Sequence, residues 1–356
     1  MQFHEIAQTR LDSQHINHPH SDSATDIIAY MGAVQAQDYP GALWSIGLRS
    51  HTLTRSDIEQ AIEKREIVRT WPMRGTIHFL AADDARWITQ LTAPQILRSA
   101  ASREKALNLD EAAMKTARRV IEKALRDGPR TRSGLMQQLE RAGESTDQQR
   151  GYHILWRLAL EGILCFGPHQ GKQPTFALLD QWLPKTRDLS GDEALGEIAT
   201  RYFASHGPAT LKDFAGWTSL PIGEARRGIE VAGTHLAKTI VSNNNYWHSP
   251  NIRIDNQASA FLLPGFDEFM LGYKDRSPAL IAEHAHKIVP GGNGMFKPTI
   301  VIDGQVVGTW KKIERRTGAQ LELDAFESFD DTHRARLERA VKRYGDFLDL
   351  SVTIIT

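Results

Sequence analysis

Few side chains in this sequence are typed and spaced for chemistry, and most of those fail on inspection. His15, His18 and His20 crowd a polar N-terminal stretch, and His284 and His286 have only Glu283 as a nearby carboxylate. Zinc needs three or four placed ligands, which neither group supplies, so no metal and no other cofactor is expected. Cys165, the only cysteine, rules out an internal disulfide and a thiolate cage; flanked by Leu164 and Phe166, it reads as a small buried hydrophobe. Gly291-Gly292-Asn293-Gly294 does not lie between a strand and a helix, as a nucleotide-binding loop would. What remains is basic. Lys311, Lys312, Arg315 and Arg316, near the tip of a second C-terminal hairpin, make either a phosphate-binding arm or a solvated sheet edge. Arg74, in the turn Met73-Arg74-Gly75, is either a phosphate or groove contact or a plain turn residue.

The elements that would carry these residues follow a recurring order. Residues 111–127 have helical apolar spacing and stop at Gly128-Pro129; Thr131 then caps a helix bearing Leu135, Met136 and Leu139. Asp147 or Thr146 starts another, with Ile154, Leu155 and Leu158 on one stripe, followed by the strand-like residues 163–166, the turn-rich GPHQGKQP and the strand-like TFALL. Helix, helix, helix, strand, loop, strand is winged-helix order. It returns after Gly207-Pro208, where Thr210 caps a helix with Phe214 and Trp217, a helix spans about 222–231, and HLAKTIV reads as a strand. The Gly-Pro-x-Thr signature recurs with Thr131 and Thr210 79 positions apart. A looser copy has a helix over 25–37, a capping box Thr54-x-x-Asp57, and two strands joined around Arg74. Beyond residue 250 the texture is β: Asp303-Gly304 between β-branched runs marks a hairpin, and a helix from Asp331 to about Leu348 precedes the strand-like SVTII.

The reading is an α+β chain: three tandem winged helix-turn-helix units (1–95, 96–182 and 183–250) around a concave face, then a β-barrel-like region with a closing helix (251–356). With 356 residues, several compact units are expected. No stretch approaches the roughly 20 apolar residues of a membrane helix, and the first twenty residues lack a signal-peptide core. A cytoplasmic, nucleoid-associated protein of a bacterium is expected. Basic and acidic residues balance at 43 each, which argues against tight non-specific coating of DNA. Residues 97–172 nonetheless hold 14 Lys/Arg against 9 Asp/Glu, so a local basic surface is available.

The stretches GAVQAQDYPGALW, VRTWPMRGTIHFL, FLLPGFDEFMLGYKDR and FKPTIVIDGQVVGTW, in this order across residues 32–310, resemble the AlkZ-like winged-helix DNA glycosylase family. The resemblance implies a monofunctional glycosylase that unhooks N7-alkylguanine crosslinks from double-stranded DNA, with Gln35-Ala36-Gln37 as its Gln-aliphatic-Gln catalytic motif. A sister branch carries Gln-x-Asp; Asp38 here falls one position too late to match it, and is at most a lining residue. An amide is no general base, but an N7-alkylated guanine is cationic and leaves without protonation. A positioned water and electrostatic stabilisation then suffice, and an amide offers both acceptor and donors. Two residues apart on a helix point to nearly opposite sides, so the segment should leave regular helix, with Pro40 ending it near Tyr39. Asp267, Tyr273 and Arg276 either line the concave face or form a buried polar network. Trp44 and Trp71 read as core. The competing reading is a winged-helix transcriptional regulator without catalysis, its recognition helix at 147–161 offering Gln148, Gln149, Arg150 and His153 to a major groove. Nothing reads as a dimerising helix, so a monomer is expected.

Overall fold

The computed structural model describes residues 1–253, 257–316 and 318–355. Gly32 ends the helix Ala24–Met31, and the short strand Val34–Gln35 leads into helices Tyr39–Gly47 and Arg55–Glu63 and the hairpin Ile67–Met73/Thr76–Ala81. The short strand pairs with the second hairpin strand, giving a three-stranded antiparallel sheet. The same order and pairing recur in Glu111–Leu125, Arg130–Thr131, Arg132–Arg141, Arg150–Leu160 and the hairpin Leu164–Gln170/Gln173–Leu178. A third copy has helices Gly191–His206, Leu211–Thr218 and Ile222–Ala232 before the hairpin Ala237–Val241/Asn244–His248; there Ala209 bridges Trp247 in place of the short strand. Each second helix is capped as its sequence dictates. Thr131 accepts from the Gly134 amide, and Thr210 and Asp213 form a full capping box.

Several expectations are corrected. The first-repeat helix stops at Met31 rather than near 37, because Gly32 adopts φ +77° at the C-cap. The helix expected from Thr146 or Asp147 begins at Arg150, after Gln148 and Gln149 both take positive φ. The 22-residue helix Ala85–Ala106, which joins the first two repeats and packs on the strand Ile67–Met73, had no counterpart in the sequence reading. Lys311 and Lys312 lie mid-strand in Gln305–Arg315, and only Arg315 and Arg316 reach the hairpin end.

No closed barrel forms among the described residues. Five strands make an open sheet whose outer members, Ala260–Leu263 and Val352–Ile355, are four residues each. Closure would require those edges to pair. Instead the helix Asp331–Leu348 packs against both of them, burying Leu337, Val341, Tyr344 and Phe347. The sheet and this helix grip the helix Tyr39–Gly47: Trp44 Nε1 donates to Leu262 O at 2.7 Å, and Phe347 lies against Gly47, where a Cβ would come within 2.5 Å of its ring.

The core absorbs the other doubtful side chains. Trp71 stacks on Phe166 at 4.7 Å, and Cys165 is fully buried on strand Leu164–Gln170, its thiol pushed well above the usual range by burial. No helix is long and apolar enough to cross a membrane among the described residues.

One buried ion pair ties the N-terminal region to the C-terminal sheet. Arg49 and Asp267 are bidentate at 2.9 and 3.0 Å; Ser45 Oγ donates to the same carboxylate, and Gln14 Oε1 accepts from Arg49 at 2.6 Å. Removing one partner leaves the other charge uncompensated in the interior. Asp267→Ala should therefore cost about 3–5 kcal/mol of stability, measured by urea unfolding. An unchanged midpoint would show that the pair does not hold these parts together.

Candidate active site

The two glutamines lie between helices, Gln35 on a short strand and Gln37 in the bend that follows it. Val34 and Gln35 pair with Phe79 and His78, and Ala36 N donates to Ile77 O at 2.7 Å. Asp38 is the N-cap of Tyr39–Gly47, and Pro40 stands in its first turn; Pro40 thus opens a helix rather than ending one. The strand ends at Gln35, and Gln37 lies in the bend that leads to the next helix. Gln35 is only 8% exposed, whereas Gln37 is exposed, with Oε1 at 3.5 Å from the Ile77 amide.

Behind Gln35 lies a fully buried carboxylate. Glu268 Oε1 accepts from the Gln35 amide at 3.1 Å and from Arg74 Nη2 at 3.4 Å; Oε2 accepts from Trp217 Nε1 at 2.9 Å and lies 3.6 Å from His206 Nε2. Burial alone would raise its pKa, but Arg74, His206 and His78 overcome that and hold the carboxyl well below the usual range. Arg74 sits in a two-residue turn with Gly75, both at positive φ. Its side chain folds inward, 17% exposed, and also donates to Gln35 Oε1 at 3.3 Å and to His78 Nε2 at 2.8 Å. Since arginine only donates, His78 must accept at Nε2 and carry its proton on Nδ1, 2.9 Å from Thr76 O. Burial, then the Arg74 charge, depress the pKa of His78 to about 3.

A cavity of about 250 Å³ opens beside this network. Gln35, Arg74, Trp217, Phe266, Lys274 and Arg276 are among its walls. The Lys274 stem lies over Gly216, where a Cβ would meet Cε at 2.6 Å. Tyr273 also lines the cavity, though it is 2% exposed and its hydroxyl donates to His206 O and accepts from Gln14. Arg276 lines it while donating to Met270 O. Asp267 does not; it belongs to the Arg49 network. Asp38 is exposed beside Gln37, and its carboxyl is raised by partial enclosure against the pull of Lys312, which places the strand Gln305–Arg315 within electrostatic range of the glutamines. Lys312 also pairs with Glu314, and Arg315 with Gln320. Lys311 and Arg316 are exposed.

Sequence reasoning missed Glu268, His78, Trp217 and Lys274. A signal existed for Glu268: two adjacent carboxylates inside the apolar run FLLPGFDEFML have to find partners in the interior. His78 was masked by its strand, where it looked like any alternating residue.

The chain is α+β, built of helix-and-hairpin repeats, and Gln35 lines a cavity walled by Arg74, Lys274 and Arg276. The chain belongs to the AlkZ-like DNA glycosylase family, whose model matches residues 28–347, and it is a DNA glycosylase. It is similar to the interstrand DNA cross-link repair glycosylase of Streptomyces sahachiroi, 25% identical over 336 residues that cover 88% of each protein. The solved structure of the Streptomyces sahachiroi DNA glycosylase AlkZ matches over 100% of both chains with a TM-score of 0.84 at 23% identity. The two share a fold.

The buried histidine gives the site an acid limit. The unfolded chain protonates His78 near its ordinary 6.5 and the folded chain only near 3, so stability falls as pH drops from about 6.5 towards 3. At pH 5 this is a loss of about 2 kcal/mol. His15, lowered to about 4 chiefly by burial, adds in the same direction. Denaturant titrations at pH 7.5 and 5 should show a smaller loss for His78→Gln than for wild type; equal losses would remove His78 from the account.

Proposed function

We propose that the protein hydrolyses the N-glycosidic bond of N7-alkylated guanine in double-stranded DNA, including guanine held in interstrand crosslinks, with Gln35 and Gln37 at the reacting sugar. One observation carries the reading: Gln35, whose amide cannot accept a proton at neutral pH, lines a cation-walled cavity, and the exposed Gln37 follows two residues on. Such a site suits a leaving group that is already cationic and needs only a placed water. It would be poor for an uncharged base. The relative named as a cross-link repair glycosylase supports the same substrate class, and a bulky tethered lesion fits an open groove better than a closed base-flipping pocket. Resistance to alkylating agents and general repair are both compatible roles.

We also read the three repeats as winged helices, and the divisions 1–95, 96–182, 183–250 and 251–356 as the working units. Each repeat's short strand or bridge beside the second hairpin strand supports this. Lys311, Lys312, Arg315 and Arg316 would hold phosphates as a basic arm, favoured by the position of Lys312 near Asp38.

The regulator reading is disfavoured by the helix Arg150–Leu160. None of its residues is exposed, and Trp156 Nε1 donates to Gly75 O at 3.1 Å. It has no free face for a major groove.

Incubation with a duplex bearing one N7-methylguanine or one N7-linked mustard crosslink, followed by alkali, should yield strand breaks with wild type. Gln35→Ala combined with Gln37→Ala should abolish them while binding persists. Binding without breakage by wild type would return the regulator reading. Separately, Arg315→Ala with Arg316→Ala should weaken binding irrespective of sequence and flatten the log–log salt slope by about 2. An unaltered slope would take the arm off the phosphates.

A further inference from the structure

This inference rests on the reading above and divides labour between the two glutamines. The Gln35 atom that faces Arg74 at 3.3 Å must be the carbonyl oxygen, because a guanidinium has donors and no acceptor. The guanidinium is held mainly by His78 Nε2 at 2.8 Å, with longer contacts to Glu268 Oε1 at 3.4 Å and Leu271 O at 3.5 Å. Glu268 Oε1 also takes the Gln35 backbone amide at 3.1 Å. One carboxylate therefore fixes the main chain of Gln35 directly and its side chain through Arg74. The amide NH2 is left pointing away from Arg74, no acceptor among the described residues takes it, and Gln35 forms part of the cavity wall.

We propose that Arg74 and Glu268 lock Gln35 as a hydrogen-bond donor to the lesioned nucleotide, leaving Gln37 to supply the acceptor that holds the attacking water. In the reaction the bond from C1′ to the base breaks and its electron pair passes into the cationic guanine, which leaves neutral. The base's acceptor edge gains electron density as this happens, so a donor held there stabilises the transition state more than the ground state. Water oxygen bonds to C1′, and its proton passes to solvent water. Gln37, exposed and only loosely held at 3.5 Å by the Ile77 amide, is free to turn its oxygen to that water. Arg74 and Glu268 are positioning residues; they act through Gln35.

Charge substitutions at the two glutamines separate the roles, with the N7-methylguanine duplex as probe. Gln35→Glu keeps an oxygen for Arg74 but replaces the outward donor with an acceptor, so kcat should fall about 100-fold and show no rise across the carboxylate titration range. Gln37→Glu turns the acceptor into a base, so its rate should acquire a limb rising with pH that wild type lacks. The reverse pattern overturns the proposal. Arg74→Lys cannot span the same acceptors; it should lower kcat about 10-fold with KM little changed, and cost nothing further in a Gln35→Ala background. A loss of DNA affinity that persists in that background would make Arg74 a phosphate contact instead. If wild type leaves this duplex intact, the functional reading fails, and the lock is read without substrate by heteronuclear relaxation of the Gln35 side-chain NH2. Rigidity in wild type and mobility in Arg74→Lys support it; equal mobility ends it.

Discussion

Two adjacent carboxylates, Asp267 and Glu268, enter the protein interior on one short turn and are satisfied by partners far away in sequence. Asp267 takes Arg49 and Ser45; Glu268 takes the Gln35 amide, Arg74 and Trp217, with His206 close by. A buried carboxylate without such partners would be several kcal/mol too costly to keep. The first repeat, the third repeat and the C-terminal sheet must therefore converge on this turn for the chain to fold. The same convergence brings Gln35 and a basic cavity to one place. Stability and site geometry are two results of one electrostatic demand.

That arrangement also explains how a neutral chain handles a polyanion. Much of its charge is spent internally: Arg49 on Asp267, Arg74 on Glu268, Arg201 and Arg187 on Asp84, Arg157 on Glu104 and Glu111. Other cations stand at the cavity wall, as Lys274 and Arg276, and along the strand Gln305–Arg315. Zero net charge describes the whole chain and says little about any one face.

Legibility followed the range of the governing interaction. Caps at Thr54, Thr131 and Thr210, the Asp303-Gly304 turn and the helix Asp331–Leu348 rest on neighbours within a few residues, and the structure has them where local chemistry put them. The end of the first helix at Gly32 was missed because apolar spacing continues to Val34, and the glycine's positive φ beneath Trp217 carries no periodic signal. Sheet closure depends on where a distant helix packs, and the helix Asp331–Leu348 could be drawn correctly without revealing that it would lie across an open sheet. Gln35 and Gln37 were singled out through resemblance alone. Glu268 lies 194 residues from Arg74 in sequence, and Arg74 lies four from His78; only tertiary structure joins the carboxylate to the other two.

Alkylating electrophiles attack proteins as well as DNA. The softest nucleophile such a reagent could meet is a thiolate, and this chain has a single cysteine. Cys165 sits with no exposed surface on a strand of the second repeat, and burial raises its pKa far enough that the thiolate is scarcely populated. The folded protein thus offers electrophiles no exposed thiol.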